Sequence, residues 1–208
     1  MSIEIWITFV LAATIILIVP GPTVVLVISQ ATSYRRISVV PLVTGVICGD
    51  FIAMTLSLMG LGAIMSTSAE LFMTFKWLAA IYLIYLGIKQ LKTTQNKKFA
   101  SESFKNKSAF KLFRSSFIVT ALNPKGIAFF VVFFPQFINP SKPALIQLIT
   151  LGSTFLILAL VNISIYAIFA GKLSERIRQS NVRKWFNRVS ASTLIGAGIF
   201  TAGMQRLS

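Results

Sequence analysis

A chain of 208 residues that is 55% hydrophobic and only 12% charged, with a mean hydropathy of +0.80, cannot cover itself with polar surface in water. A soluble domain carries roughly twice that charged fraction, so lipid is the solvent here. The net charge of +15 would point to nucleic acid in a soluble protein, but the basic residues fall between apolar runs, where membrane topology accounts for them. With no histidine, Ser-His-Asp triads, Ser-His dyads and imidazole metal clusters are excluded. The single cysteine, Cys48, excludes an intrachain disulfide and reads as a small buried residue.

The first segment, Met1-Ser2-Ile3-Glu4, lacks the positive stretch of a signal peptide, and the apolar run behind it is too long for one. It reads as an uncleaved first span. A span needs about 20 mostly apolar residues at a rise of about 1.5 Å each. Six stretches qualify: near Ile5–Ser29, Val39–Met65, Leu71–Leu91, Leu112–Ile138, Ala144–Ala170 and Phe186–Met204. The predicted fold is therefore an all-α integral membrane protein of six transmembrane helices.

Of the 20 basic residues, all but Lys76, Lys125, Lys142 and Arg206 fall at the first, third and fifth connections. The positive-inside rule places those connections in the cytoplasm and both termini outside. The longest connection, Lys92–Lys111, is polar and Lys-rich and reads as a flexible cytoplasmic connector near anionic headgroups. It divides the chain into a first three-helix repeat, 1–91, a basic loop, 92–111, and a second three-helix repeat, 112–208. Three is odd, so two copies of one ancestral half would insert in opposite orientations, as inverted repeats do in many secondary transporters.

Each half opens with a long span broken by proline near its middle. In Pro20-Gly21-Pro22, two prolines remove two helix hydrogen bonds and the glycine between them permits unusual dihedrals. Unwound backbone at membrane depth is tolerated only where it is buried in protein or lines a cavity. Asn123-Pro124-Lys125 repeats the break in the fourth span and adds a charge whose insertion costs roughly 2.5–3.5 kcal/mol. Gly21 is expected in non-helical backbone close to the second span.

Asp50 is the only aspartate and the only acid well inside a span. It follows Gly49, and Gly45 lies one turn earlier; small residues at that spacing let another backbone approach, with the Pro20–Pro22 segment as the expected neighbour. Asp50 can carry a proton, pair with Lys125 or Lys76, or do both. Lys76 lies about a turn into the third span, where snorkelling is easy. Asn162 and Gln136 are further polar candidates in the fifth and fourth spans. The run Phe129, Phe130, Phe133, Phe134 reads as lipid-facing or packing surface.

These motifs together, with Phe129-Phe130, Pro135-Gln136-Phe137 and the third-span pattern Lys76-x-x-Ala79-Ala80-x-Tyr82-Leu83-x-x-x-Gly87, resemble the LysE/RhtB family of bacterial amino-acid exporters over essentially the whole chain. That family usually has Gly-Ala where this chain has Ala79-Ala80. The resemblance implies export of amino acids such as homoserine, threonine, leucine or lysine, driven by inward proton flow.

The resulting expectation is an exporter of amino acids or close derivatives in the bacterial cytoplasmic membrane, working by alternating access between the two repeats. Helix N-termini at the breaks suit a carboxylate and unwound carbonyls suit an ammonium. Lys125 would hold the substrate carboxylate or neutralise Asp50, and Asp50 would carry the proton or meet the substrate amine. Expected partners are the amino-acid substrate, a proton, membrane lipid and, in a homo-oligomer, a second copy; no cofactor, metal or nucleic acid is expected. An exporter of another small solute or a cation is the alternative, although one intramembrane carboxylate, one thiol and no imidazole make a poor cation site. A membrane-embedded enzyme would need paired carboxylates, a nucleophile–base couple or a phosphate-cradling loop, none of which appears. A structural or assembly subunit would leave the breaks and Asp50 unexplained.

Overall fold

The computed structural model describes residues 1–19, 21–34, 38–67, 69–92, 108–139 and 141–170, with isolated positions from 172 to 199. Among these residues the fold is all-helical. Helix α1 (Ile3–Ile18) starts where Ser2 Oγ accepts from the Ile5 N–H, with Glu4 in the first turn. It stops where the sequence says it must. A residue before proline is driven to extended backbone, and Val19, ahead of Pro20, is extended. Helix α2 (Pro22–Tyr34) restarts with a proline at its first position, where a missing N–H costs nothing. The two helices are bent by 55° from one another.

Helices α3 (Val39–Thr67), α4 (Ala69–Lys92) and α5 (Ala109–Ala121) follow. The second break repeats the first: Asn123 is extended ahead of Pro124, and its Oδ1 accepts from the Lys125 N–H to cap the short helix α6 (Pro124–Ala128). Here the bend is 41°. Beyond α6 the backbone widens to π geometry over Phe129–Phe133 and tightens to 3-10 geometry over Phe134–Phe137. Pro135 has no N–H to give and its ring crowds the preceding turn, which ends regular helix there. Helix α7 (Ala144–Ile168) completes the described bundle.

Helices α3 and α7 are each long and apolar enough to cross a membrane, and each bent pair adds one more crossing when counted as a span. The third predicted stretch is occupied by α4. The sixth, 186–204, lies outside the described residues except at isolated positions. A Cβ on Gly87 would stand 2.9 Å from the Ala191 carbonyl, and one on Gly198 would stand 2.8 Å from the Ala80 carbonyl. Gly87 thus meets Ala191 and Gly198 meets Ala80, an antiparallel order, and only glycine lets the backbones come so close.

Large apolar side chains such as Leu11, Ile15, Leu56, Ile157 and Ile165 are exposed, as a hydrocarbon solvent demands. Two apolar clusters form the interior. One joins Val27, Ile28, Leu42, Leu112 and Ile163; the other joins Phe9, Met54, Phe130, Leu151 and Phe155. Phe129, Phe130 and Phe134 are buried in the second, with Phe130 and Phe155 edge-to-face at 4.9 Å, so the aromatic run is packing surface.

Two expectations are corrected. Cys48 is exposed on α3 rather than buried. The backbone that approaches Gly45 and Gly49 belongs to α5, not to the first break: a Cβ on Gly45 would lie 2.5 Å from the Phe113 carbonyl oxygen, and one on Gly49 would lie 2.8 Å from that of Phe117.

Candidate functional site

The last four carbonyls of an α-helix have no partner within it. At the broken end of α1 such carbonyls lie inside the bundle, and side chains from the second half of the chain take them one by one. Lys125 Nζ donates to the Ile16 carbonyl at 2.8 Å and to the Val19 carbonyl at 2.5 Å. Asn162 Nδ2 donates to the Leu17 carbonyl at 3.0 Å, and Tyr166 Oη donates to the Ile18 carbonyl at 2.7 Å. Asn162 and Tyr166 are four residues apart on α7 and so share one face. Four consecutive carbonyls are thereby satisfied by three side chains.

The other break is answered in the same way. Thr23, in the first turn of α2, accepts from Asn123 Nδ2 at 3.2 Å and from Thr120 Oγ1 at 3.3 Å. The start of each second segment therefore bonds the end of the opposite first segment: α6 reaches α1, and α2 reaches α5.

Asp50 projects from α3 into the space between these breaks and is only 8% exposed. It makes no hydrogen bond or ion pair among the described residues. Asp50, Lys125, Asn123, Thr23 and Asn162 line one cavity of about 50 Å³, walled on its apolar side by Phe129, Phe155 and Ile163. That holds a few water molecules, at roughly 10–15 Å³ each on the same measure. A Cβ on Gly126 would stand 4.0 Å from Asp50 Oδ1, so the glycine after Lys125 keeps the floor of the cavity open.

A direct Asp50–Lys125 ion pair, one of the readings the sequence left open, is absent. The two charges act on each other across the cavity, but the lysine spends two of its hydrogen bonds on helix carbonyls. Gly21 is non-helical and buried, as expected; the three atoms nearest its Cβ position, however, all belong to Lys125, the closest at 3.5 Å, and not to α3. Pro22 and Pro124 open α2 and α6. Gly49 neighbours Asp50 but serves the α3–α5 approach. Gln136 stands away from the cavity, where its Nε2 donates to the Val132 carbonyl at 2.7 Å and repairs the irregular turn. Pro20 and the Lys76 side chain lie outside the described residues.

Thr23, Thr120, Gly126 and Tyr166 were not singled out from sequence. Their signal is positional: Thr23 and Gly126 adjoin the two proline breaks, Thr120 precedes one by a turn, and Tyr166 follows Asn162 by one turn.

A contact of 3.5 Å is ordinary packing, so Gly21→Ala should change stability little, whereas Gly21→Leu must push the Lys125 stem aside. Thermal unfolding should show a loss of roughly 1–3 kcal/mol for Leu and close to none for Ala. Equal losses would mean that the backbone at Gly21, not the lysine beside it, sets the requirement.

A family model for LysE type translocators matches residues 14–205. The chain is 30% identical over 202 residues to an uncharacterized membrane protein of Vibrio cholerae, covering 97% of this chain and 98% of that one. It is 29% identical over 205 residues to a homoserine/homoserine lactone efflux protein of Salmonella typhimurium, covering 99% of each. With a leucine efflux protein of an Enterobacter species it shares 32% identity over 152 residues, covering 73% of this chain and 69% of the relative. No solved structure matches the chain.

Proposed function

The chain belongs to the LysE type translocator family, and on that premise we propose that it exports amino acids or close derivatives across the bacterial cytoplasmic membrane by proton antiport. The family and its efflux-protein relatives indicate a membrane transporter of small molecules and not an enzyme.

One observation carries the reading: one cavity joins the ends of two broken helices and holds a buried carboxylate that has no bonded partner among the described residues. Asp50 is the group to meet a substrate ammonium or a proton, and the two exclude each other there. A third Lys125 donor, with the amide of Asn123, can meet a carboxylate. Room for only a few waters describes a closed state. An amino acid is admitted when the α1 and α6 segments separate, and alternating access is that separation toward one side and then the other. The crossed bonding of the two breaks supports a two-fold relation between inverted halves.

A counterflow screen in proteoliposomes tests this. Purified protein should exchange at least one labelled neutral amino acid without altering it chemically. No movement of any of the common amino acids, or chemical conversion of one, would end the reading.

The orientation rests on the basic connections. A cysteine placed at Asn96, in a Cys48→Ser background, should resist impermeant thiol reagents applied to intact cells, while one at Ser208 should react. The opposite labelling pattern would invert the topology.

A further inference from the structure

We infer that the C-terminal end of α1 is a seat for a monovalent cation, which the chain fills with its own Lys125 ammonium, and that Asn162 and Tyr166 are the positioning residues that hold the seat's carbonyls. The end of a helix carries roughly half a negative charge, and carbonyls at membrane depth must find donors or cations. Transporters with broken helices use such ends to coordinate the ion that drives them. Here Lys125 Nζ bonds the first and last of four consecutive carbonyls, Ile16 and Val19, while Asn162 and Tyr166 hold the two between them.

Two further features fit a built-in cation. The lysine stem runs past Gly21, whose missing side chain leaves Lys125 Cδ, Cε and Nζ between 3.5 and 3.8 Å from the Cβ position. The only acid that lines the cavity among the described residues, Asp50, is not bonded to the ammonium, so the helix end is its direct counter-charge. A cation tethered at this point leaves no place for sodium or potassium at the helix end. The seat stands on geometry alone; its consequence, transport without a metal ion, rests on the export reading.

Lys125→Ala removes three methylenes and the ammonium, a shape that propylammonium replaces. Wild type, Lys125→Ala and Lys125→Met are purified in detergent and unfolded thermally in propylammonium chloride or, at equal ionic strength, choline chloride. Propylammonium should raise the melting temperature of the Ala variant saturably and choline should not. Wild type and Lys125→Met, whose stems fill the channel, should respond to neither. Where the Ala variant does not survive purification, propylammonium during solubilisation should recover folded protein that choline does not.

Adding Tyr166→Phe to the Ala background should raise the propylammonium concentration for half-maximal effect by roughly threefold to tenfold. A merely structural Tyr166 would lower the melting temperature and leave that concentration unchanged. Equal responses to both salts, or no response of the Ala variant to propylammonium, overturns the seat. In wild-type proteoliposomes, counterflow should be unchanged when choline replaces sodium and potassium; dependence on either metal ion overturns the consequence. Failure of counterflow in every salt would sink the export reading and leave the unfolding result to decide the seat.

Discussion

Asp50→Asn should abolish export against a gradient while leaving the protein folded and still able to exchange substrate. The carboxylate makes no hydrogen bond or ion pair among the described residues, so the amide removes no bonded contact. A cavity with room for water can satisfy its new N–H groups. Stability should therefore move by less than about 1 kcal/mol. Function is another matter, because an amide keeps the shape of the group but cannot take up and release a proton. Coupling free energies between sites are typically 1–3 kcal/mol, so accumulation driven by an imposed pH gradient should fall on the order of tenfold or more. Counterflow at equal pH should survive. The measurement is labelled amino-acid movement in proteoliposomes, with and without the gradient. A variant that still accumulates substrate with wild-type pH dependence would remove Asp50 from the coupling role.

What the sequence made legible follows from cost. Two prolines around a glycine, a proline after an asparagine, and one charge of each sign at membrane depth are all expensive, and each of them among the described residues lies at or beside the cavity. What it hid follows from the solvent. In water a helix shows its buried face by the contrast between apolar and polar positions, but in lipid both faces are apolar. Nothing in the stretch around Cys48 therefore distinguished the lipid side from the interior, and Cys48 is exposed. Gly45 and Gly49 announced a close approach without naming the neighbour, which is α5.

Uncharged polar residues were the hardest to weigh. Gln136 looked like Asn162, yet one repairs its own turn and the other holds the end of α1. Thr23 and Tyr166 acquire meaning only when the opposite break is placed against them. Both roles open to Lys125 from sequence, holding a substrate carboxylate or neutralising Asp50, counted charges but not the carbonyls that a broken helix leaves bare.

Those carbonyls make the second large effect asymmetric. Lys125→Met should destabilise the protein strongly where Asp50→Asn does not. Methionine fills much of the volume of the lysine stem, so packing beside Gly21 is nearly kept. The loss is at the ammonium, which donates to the Ile16 and Val19 carbonyls. Each buried acceptor left without a donor costs roughly 1–3 kcal/mol. Asp50 loses a favourable charge across the cavity but can respond by binding a proton. A direct buried ion pair would behave differently, because removing either partner strands the other and removing both relieves the penalty. With Lys125 bonded to α1, the double variant Asp50→Asn, Lys125→Met should remain nearly as unstable as Lys125→Met alone. Charges that face one cavity couple by roughly 0.5–3 kcal/mol, and without a direct bond the coupling here should fall at the low end of that range. Denaturant unfolding of all four proteins in one detergent closes the cycle. Recovery of wild-type stability in the double variant would show that Lys125 is held by the carboxylate and not by the helix end.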